Sequence, residues 1–321
     1  MGIDLHNLGL LAHAQDLGAN FDRTIGIGRQ AVFIDAPDLE RHRRLRGLPQ
    51  LAEPARAATA PRYFEPMLTQ WFGAGRVDSV DASPYEAATV VHDMNLPWRG
   101  VDAGLGSDDA ARLGSYDAVL DFGCLEHVFD FPTAWRNCVD LCSVGGHLLH
   151  SLPANNLTGH GFYQFSPELF FNLYRPENGF ELRGLWLAQK PDLLNWWRVA
   201  DPRQRKRRVT LRNGHETYML VIAKKLRETG TLAAPQQSDY AEQEWLGQAA
   251  AKAPMPFDGN DTTSGRGGMA AALASLGLLD AARAVKARVQ ALRASATALP
   301  RPDYERVVVA ELLRRRGPAS A

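Results

Sequence analysis

The stretch that decides the fold is TIGIGRQ, residues 24–30, a short apolar run that ends in glycines. Such a run predicts a buried β-strand that turns at its carboxyl end, the usual opening of a nucleotide-binding α/β domain. Extended to Ala31, the segment matches the dinucleotide fingerprint G-x-G-x-x-A. Arg29 and Gln30 stand where such a loop usually has further glycines. The segment therefore predicts a cofactor edge and leaves the cofactor open.

Composition narrows the class of protein. The chain has 321 residues, 45% of them hydrophobic, and 36 basic residues balance 36 acidic ones. A net charge of zero does not call for a polyanionic partner. The three cysteines suit neither a disulfide framework nor a zinc site, and we interpret them as reduced thiols of an intracellular protein. With neither a signal-peptide pattern nor a membrane-length apolar run, we expect a cytoplasmic protein without membrane contact.

Strands and helices alternate along the first two thirds of the chain. After residues 24–28, strands are predicted at 76–81, 89–93, 116–121, 146–152, 180–188 and 216–224. Helices are predicted at 4–18, 38–46, 63–72, 133–142 and 166–174. This alternation predicts an α/β fold with a mostly parallel sheet. Only a polar connector separates the last two strands, so we expect them to pair antiparallel at one edge.

The composition changes near residue 230. Residues 233–268 resemble a loop, whereas 269–294 and 303–316 have helical patterns rich in Ala, Leu and Arg. We therefore divide the chain into an α/β domain, residues 1–229, and a helical C-terminal extension, residues 230–321.

A nicotinamide-binding Rossmann domain does not fit the spacing. Such a domain needs an acidic strand end about twenty residues after the glycines. Position 46 is an arginine within a charged helical run, and the first acidic strand end is Asp81. The fingerprint match is therefore best explained as chance.

Five segments in order resemble the class I S-adenosylmethionine-dependent methyltransferases. They are RVDSVDAS (76–83), TVVHDMNLPW (89–98), YDAVLDFGCLEHVFDFPTAWRN (116–137), LCSVGGHLLHSLP (141–153) and ETYMLVIAKK (216–225). The similarity runs from residue 24 to about 224, and the LEH turn after the fourth strand is its closest match. The resemblance implies a class I methyltransferase-like sheet whose last strand is antiparallel.

The resemblance also implies the cofactor, S-adenosylmethionine, and the residues around it. Asp81 corresponds to the acid that holds the ribose, and Asp93 and Met94 border the adenine. We also assign Asp121, at the end of the fourth strand, to the cofactor side.

The glycine loop departs from the family pattern. Gly26 stands where an acid usually receives the cofactor's amino group, and Gln30 stands where a second glycine usually follows Gly28. We expect Arg29 and Gln30 to supply the missing contacts from their side chains. The alternative is a domain that no longer binds cofactor.

Methyl transfer to a hydroxyl needs an aligned nucleophile and a proton acceptor. His127 follows the fourth strand and His160 follows the fifth, so each is a candidate base, and Glu126 a substrate contact. The alternative is that His127 packs against the segment after it. In ubiquinone-type O-methyltransferases a Glu-His pair at this turn also helps to hold a divalent ion. Here Gly123 or a neighbour replaces the earlier acid, so the sequence predicts no metal site.

A polar loop at residues 151–171 follows the fifth strand. Its amide, imidazole and phenol groups suit a lid that binds substrate. The candidates are Asn155, Asn156, Tyr163 and Gln164. The alternative is that these residues only shape turns and that Phe162 and Phe165 anchor the loop to the core. His147 and His150 lie within the strand and are interpreted as structural.

Trp196 and Trp197, followed by RQRKRR at 203–208, resemble a nucleic-acid-binding surface. With zero net charge, we prefer a solvated hairpin between two strands, without nucleic acid. The sequence thus predicts a methyltransferase that acts on a small-molecule or carbohydrate-like acceptor, at oxygen. The alternatives are a non-catalytic scaffold that binds a partner and an RNA methyltransferase. A homo-oligomer is compatible with the C-terminal helices.

Overall fold

A nine-stranded sheet dominates the computed structural model, which describes residues 2–51, 63–99, 111–190, 192–228, 230, 235–238 and 303–312. The strands, in chain order, are β2 (Arg23–Ile27), β4 (Arg76–Asp81), β5 (Val90–Val91), β6 (Tyr116–Asp121), β7 (Cys142–Asn155), β8 (Phe180–Gln189), β9 (Asn195–Val199), β10 (Thr217–Lys225) and β11 (Tyr304–Val308). A separate parallel pair consists of β1 (Gly2–Ile3) and β3 (Ala31–Val32).

The order of the strands establishes the fold class. Across the sheet it is β11-β9-β8-β10-β7-β6-β2-β4-β5. Neighbouring pairs from β5 to β7 are parallel, whereas β10 is antiparallel to both β7 and β8. Within the described part of the chain, only β9 and β10 run against the common direction. The mostly parallel class I methyltransferase-like sheet with an antiparallel last strand is therefore confirmed.

Helices cover both faces of the sheet and begin at recognisable caps. They are α1 (Leu5–Asp16), α2 (Ala36–Arg46), α3 (Glu65–Phe72), a 3-10 turn (Leu125–His127), α4 (Phe131–Leu141), α5 (Pro167–Leu173), α6 (Pro202–Arg205) and α7 (Val309–Leu312). The side chains of Asp4, Asp35, Asp130 and Ser166 accept hydrogen bonds from the first turns of α1, α2, α4 and α5. These caps pair otherwise unsatisfied N–H groups and so fix where the helices begin.

Two hydrophobic clusters lie on opposite faces of the sheet. In β10, Met219 and Val221 belong to one cluster, and Leu220 and Ile222 belong to the other. All four are fully buried because helices cover both faces of this strand. Side chains alternate between the faces of a strand, so a doubly covered strand is apolar throughout.

Two predictions about the edge of the sheet are wrong. The last two predicted strands pair antiparallel as expected, but β10 lies between β7 and β8 rather than at the edge. The connector between them contains β9, which pairs with β8. Residues 304–308 form β11 and pair with β9, although a helix was predicted there. The unpaired backbone of β9 gives this β-branched segment a strand partner.

The remaining expectations about the chain concern thiols, membranes and the C-terminal region. Cys124, Cys138 and Cys142 are all free thiols. Among the described residues, every helix is too short or too polar to cross a bilayer. The helix predicted at 269–294 lies outside the described residues. The division near residue 230 stays a prediction.

Candidate active site

The candidate site lies where the carboxyl ends of β2, β4, β6 and β7 meet. Ligands of open α/β sheets bind at this edge. A Cβ placed on Gly28 would lie 3.7 Å from the Cβ of Cys124, so the loop after β2 adjoins the turn after β6. The sheet thus brings together residues that are about a hundred positions apart in the chain.

The glycine loop is filled by its own chain. Gly28 has a left-handed φ of 76°, and its N–H donates to the carbonyl of Val80 at 2.7 Å. The buried side chain of Gln30 folds back under the turn, where Nε2 donates to the carbonyls of Ile27 at 2.8 Å and Gly28 at 3.2 Å. Its Oε1 is buried without a hydrogen-bond partner. Gln30 therefore stabilises the turn from within.

Gly26 has a packing role that the sequence did not indicate. It lies inside β2, paired with Ser79 and Leu120 of the neighbouring strands. A Cβ at this position would come within 2.6 Å of the ring of Phe64. Only a residue without a side chain allows the ring of Phe64 to pack this close to β2. The predicted contact between Gly26 and a cofactor stays a prediction.

Arg29 is engaged by the protein itself. Its Nε donates to Glu65 at 2.8 Å, and Nη1 donates to the carbonyls of Glu86 at 2.6 Å and Ala87 at 3.2 Å. The guanidinium also lies 3.9 Å from the centre of the Tyr63 ring. These contacts tie the glycine loop to α3 and to the turn after β4. No hydrogen bond to another described residue is assigned to Nη2, and the predicted contact between Arg29 and a cofactor carboxylate stays untested.

Asp81 ends β4 at the same edge. Its carboxylate Oδ1 accepts a long hydrogen bond of 3.3 Å from the N–H of Ser83, and its main-chain carbonyl accepts from His92 at 2.9 Å. The side chain is half-buried. No hydrogen bond from another described residue is assigned to Oδ2, which leaves that oxygen suited to a ribose hydroxyl.

Asp93 and Met94 follow β5 but differ in exposure. Asp93 is exposed, and Oδ1 accepts from the main-chain N–H and the side-chain amide of Asn95 at 2.9 and 2.8 Å. These two hydrogen bonds hold the pKa of Asp93 below its usual value because they stabilise the charged form. Met94 is buried in the core. Asp93 thus shapes its turn, and the predicted adenine contact of the pair stays a prediction.

Asp121 is fully buried at the end of β6. Oδ1 accepts from the N–H groups of Cys124 and Leu125 at 3.0 and 3.2 Å, and Oδ2 lies 2.9 Å from Nδ1 of His150. His150 in turn contacts the hydroxyl of Tyr174 at 2.5 Å through Nε2. The carboxylate that was assigned to the cofactor side therefore holds the turn that carries the neighbouring site residues. His150 has the structural role expected for it.

Glu126, His127 and His160 form one group, called the EHH cluster below. Oε1 of Glu126 lies 3.8 Å from Nε2 of His127 and 3.4 Å from Nε2 of His160. The two imidazole centres are 5.0 Å apart and the rings are nearly perpendicular. Both carboxylate oxygens are buried and lack a hydrogen-bond partner among the described residues. The two candidate bases and the acid therefore meet, as neighbouring strand ends predicted.

Burial changes the protonation of the EHH cluster. Burial, and to a smaller extent the charge of Asp121, raise the pKa of Glu126 to about 8. Burial lowers the pKa of His127, with a contribution from His160, and lowers that of His160 as well. A low-dielectric environment disfavours each charged form. At neutral pH both imidazoles are neutral and can accept a proton or bind a metal.

Gly161 permits the close approach of the two loops. Its φ of 77° is left-handed, and a Cβ would lie 2.8 Å from the carbonyl oxygen of Glu126. That oxygen accepts from the N–H groups of Phe162 at 2.7 Å and Tyr163 at 3.3 Å. The Tyr163 hydroxyl donates to the carbonyl of Phe129 at 2.6 Å. Sequence reasoning missed Gly161, although the glycine directly after His160 was a signal for such a turn.

The amides of the same loop mainly bind other parts of the chain. Asn155 and Asn156 donate through Nδ2 to Asn213 at 2.8 and 2.9 Å, and Asn156 has a φ of 59°. The side-chain carbonyl of Gln164 accepts from the N–H of Leu157 at 2.8 Å. These groups shape the loop and tie it to the segment before β10. Their predicted contacts with a substrate remain untested.

Two exposed aromatic rings flank the EHH cluster in sequence. Phe129 is 74% exposed and Phe162 is 68% exposed, and their rings meet edge to face at 6.2 Å. Phe165 is buried and anchors the loop, as in the structural alternative, whereas the exposed Phe162 does not. Exposed aromatic pairs of this kind offer an apolar surface to a ligand.

The aromatic-plus-basic segment does not form a single surface. Trp196 and Trp197 are buried in β9, so neither ring is available to stack on a base. Arg205 lies 3.8 Å from Asp303, and Arg207 donates to the same carboxylate. These basic residues therefore tie the segment before β11 to the connector. The solvated hairpin expected here is replaced by a strand of the sheet.

Comparisons with known proteins complete the description of the site. No family profile and no curated protein matches the chain. Among solved structures it is similar to the trans-methyltransferase CalH in complex with SAH, with a TM-score of 0.34 and 15% identity over 68% of this chain. The matched part spans 55% of CalH.

Two further solved structures are similar to the chain. For 1,6-didemethyltoxoflavin-N1-methyltransferase of Burkholderia thailandensis, the TM-score is 0.38 and the identity 15%, over 70% of this chain and 78% of that one. For the N-methyltransferase NodS of Bradyrhizobium japonicum WM9, the values are 0.34 and 13%, over 67% and 94%. The fold class follows from the strand order and directions described above.

Proposed function

We propose that the chain is an S-adenosylmethionine-dependent methyltransferase that transfers the methyl group to a hydroxyl of a small-molecule or carbohydrate-like acceptor. The observation that carries this proposal is the meeting of two neutral imidazoles, His127 and His160, at the strand edge that also carries Asp81 and the glycine loop. The class I strand order supports it, because that order creates the edge.

Asp81 holds the ribose in this proposal. A carboxylate oxygen that lacks a partner within the described chain suits a hydroxyl donor, and the adjoining glycine turn allows close approach of a ligand. Asp93 and Met94 border the adenine. The cofactor supplies an activated methyl group bound to a positive sulfur. The fit is incomplete at the glycine turn, where Gln30 occupies the inner side.

The EHH cluster receives the acceptor. A hydroxyl placed next to His127 can donate its proton to a neutral imidazole while its oxygen is aligned with the methyl carbon. His127 is the first choice because it lies on a short turn held by Asp121, and His160 faces it. Glu126, with its pKa near 8, is largely protonated at neutral pH and can donate a hydrogen bond to the acceptor.

The assignment to an oxygen acceptor rests on the need for a base. An amine can react through its own lone pair once it is neutral, whereas a hydroxyl gains far more from a nearby proton acceptor. Phe129 and Phe162 favour an acceptor that also carries an apolar face. We further propose that the protein is cytoplasmic, forms a homo-oligomer and has no nucleic-acid partner.

Calorimetric titration with S-adenosylmethionine and with S-adenosylhomocysteine tests the proposal. We expect saturable binding of both, weakened in Asp81→Ala and unchanged in His127→Ala. Transfer of labelled methyl groups to a panel of hydroxyl and amine acceptors then identifies the acceptor class. Transfer to amines alone would contradict the oxygen assignment.

A second candidate function is a non-catalytic scaffold, favoured by the burial of Gln30 within the glycine turn. In that case the Gln30 side chain stabilises the turn and occupies the space that a cofactor would need. Absence of binding to both cofactor forms, in a protein with a cooperative unfolding transition, would support the scaffold. Gln30→Gly should then restore measurable affinity, because it reopens the turn.

A further inference from the structure

The sequence predicted no metal site because Gly123 replaces the earlier acid of the turn. The fold supplies a different third ligand, since His160 comes from the loop after β7. One potential ligand atom from each of Glu126, His127 and His160 lies within 4.8 Å of the other two. Three buried polar atoms without a hydrogen-bond partner among the described residues lie here, namely both oxygens of Glu126 and Nε2 of His160.

The buried carboxylate of Glu126 needs a compensating group. An unpaired buried polar atom costs free energy, and a buried carboxylate needs a proton or a cation beside it. Among the described residues, the ionisable side chains nearest to this carboxylate are His127 and His160, at 3.8 and 3.4 Å, and no Lys or Arg is paired with it. A bound cation would satisfy the two oxygens and the His160 nitrogen together.

We propose that Glu126, His127 and His160 bind one divalent transition-metal ion of the zinc type. Bonds of about 2.0–2.2 Å in tetrahedral geometry place ligand atoms roughly 3.3–3.6 Å apart. The observed separations from Oε1, 3.4 and 3.8 Å, require only small side-chain movements to reach this spacing. Three protein ligands leave at least one position for an exogenous oxygen.

The donor set decides the kind of ion. Two imidazole nitrogens and one carboxylate suit Zn²⁺, Co²⁺ or Fe²⁺, whereas Mg²⁺ and Ca²⁺ prefer oxygen ligands. Partial exposure of His127 and His160 provides a path for entry. The site therefore favours Zn²⁺ and Co²⁺ strongly over Mg²⁺.

The ion changes how the acceptor is activated, an inference that rests on the proposed function. A hydroxyl bound to the ion loses its proton more readily, and that proton passes to solvent. The oxygen–carbon bond then forms as the carbon–sulfur bond breaks, and the positive sulfonium becomes a neutral thioether. If this ion is bound, His127 acts as its ligand and the ion takes the role proposed above for the imidazole as base, so His127→Ala lowers the rate in either case.

Titration of the chelator-treated full-length protein with Co²⁺ tests the site. We expect one ion per chain and the visible absorption bands of four- or five-coordinate Co²⁺. Zn²⁺ should displace the Co²⁺, and Mg²⁺ at millimolar concentration should not. His160→Ala and Glu126→Gln should each weaken binding at least about tenfold, as expected for loss of one ligand. The control is His215→Gln, which removes a partly buried imidazole outside the cluster.

Two outcomes would overturn the metal site, namely bands that persist in His160→Ala or equal competition by Mg²⁺. Thermal unfolding of each variant with and without Zn²⁺ identifies variants that fail to fold, and only the wild type and the control should be stabilised by the ion. Binding is measured without cofactor, so failure of methyl transfer does not affect this result. Conversely, methyl transfer that persists in chelator would refute the metal and leave the proposed function intact.

Discussion

The strand edge has two parts, the glycine loop with its neighbours and the EHH cluster, and they differ in how many of their polar groups are paired within the chain. Around the glycine loop the chain satisfies most of its own groups, as Arg29 binds Glu65 and two carbonyls, and Asp93 binds Asn95. In the EHH cluster both oxygens of Glu126 lack partners. Since buried polar atoms are normally paired, the EHH cluster is the part of this strand edge that most needs a ligand.

Gln30 is the point at which this contrast is weakest, because its Oε1 is also buried without a partner. One oxygen of a neutral amide costs less to bury than a carboxylate. The comparison therefore predicts that substitutions in the EHH cluster mainly lower the rate of methyl transfer. Substitutions around the glycine loop should weaken cofactor binding only where the replaced side chain contacts the cofactor.

The largest expected effect is on turnover. His127→Ala should lower the rate constant by at least about a hundredfold, the usual contribution of a general base, while affinity for S-adenosylmethionine stays the same. Single-turnover kinetics and calorimetry measure the two quantities, and His215→Ala is the matched control. Wild-type rates in both His127→Ala and His160→Ala would show that the acceptor needs no base and would sink the O-methyl assignment.

The next effect is on stability at alkaline pH. The folded pKa of Glu126, about 8, lies above its ordinary value of 4.5. Between pH 4.5 and pH 8, Glu126 binds more protons in the folded chain than in the unfolded chain. The contribution of Glu126 to stability therefore falls as pH rises and is fully lost above about pH 8. In chelator, Glu126→Gln should match the wild type near pH 5 and exceed it by up to a few kcal/mol near pH 8.

Urea unfolding of the two proteins at both pH values measures this difference. Taking the difference between the variant and the wild type removes the contributions of other titrating groups, such as His147, whose pKa is lowered to about 4. Equal pH dependence in the two proteins would mean that Glu126 is not held protonated by its surroundings.

On the cofactor side, Asp81 should have the largest effect. A charged hydrogen bond contributes about 1.5–3 kcal/mol, so Asp81→Ala should weaken S-adenosylmethionine binding at least tenfold. Asp93→Ala is the comparison, and we expect a smaller loss because that carboxylate already binds Asn95. Unchanged affinity in Asp81→Ala would remove Asp81 from the site.

Arg29 should have a smaller effect, and its pattern separates two interpretations. Because its donors hold Glu65 and the turn after β4, Arg29→Ala should loosen the loop and weaken S-adenosylmethionine and methylthioadenosine equally, by about fivefold or less. Methylthioadenosine lacks the carboxylate. A larger loss for S-adenosylmethionine would instead restore the direct carboxylate contact predicted from the sequence.

The smallest effect on activity concerns the basic connector. Replacing Arg205 and Arg207 by Ser should lower the free energy of unfolding by about 1–3 kcal/mol, because the buried carboxylate of Asp303 loses the two arginines beside it. Methyl transfer should be unaffected, and a gel shift with RNA should be negative. Loss of turnover together with steep salt dependence would favour the RNA alternative.

Sequence patterns predicted most of the sheet. The strand predicted at 76–81 was found with the same bounds, and the apolar run at 24–28 proved to be β2, an interior strand of the sheet. These predictions succeed because a buried strand is specified by local features, namely a short apolar run between turns. The position of Asp81 and the Glu126–His127 turn followed from the same features.

The edge of the sheet could not be predicted in the same way. The segment 304–308 has both Val residues, which favour a strand, and flanking residues that favour a helix. Pairing with β9 decided the outcome, and β9 itself had been interpreted as part of a solvated hairpin. A strand at an edge is determined by the partner that it finds, since β-propensity depends strongly on context.

By itself, then, the sequence determined the parallel core, the strand-end acid Asp81 and the turn of Glu126 and His127. Only the tertiary structure placed His160 against Glu126 and buried Asp121 beneath the turn. It also showed that Arg29 and Gln30 bind other parts of the chain around the glycine loop. The physical reason is that strand and helix patterns are local, whereas these contacts join loops distant in sequence. They depend on single conformations, such as the left-handed Gly161, that no periodicity encodes.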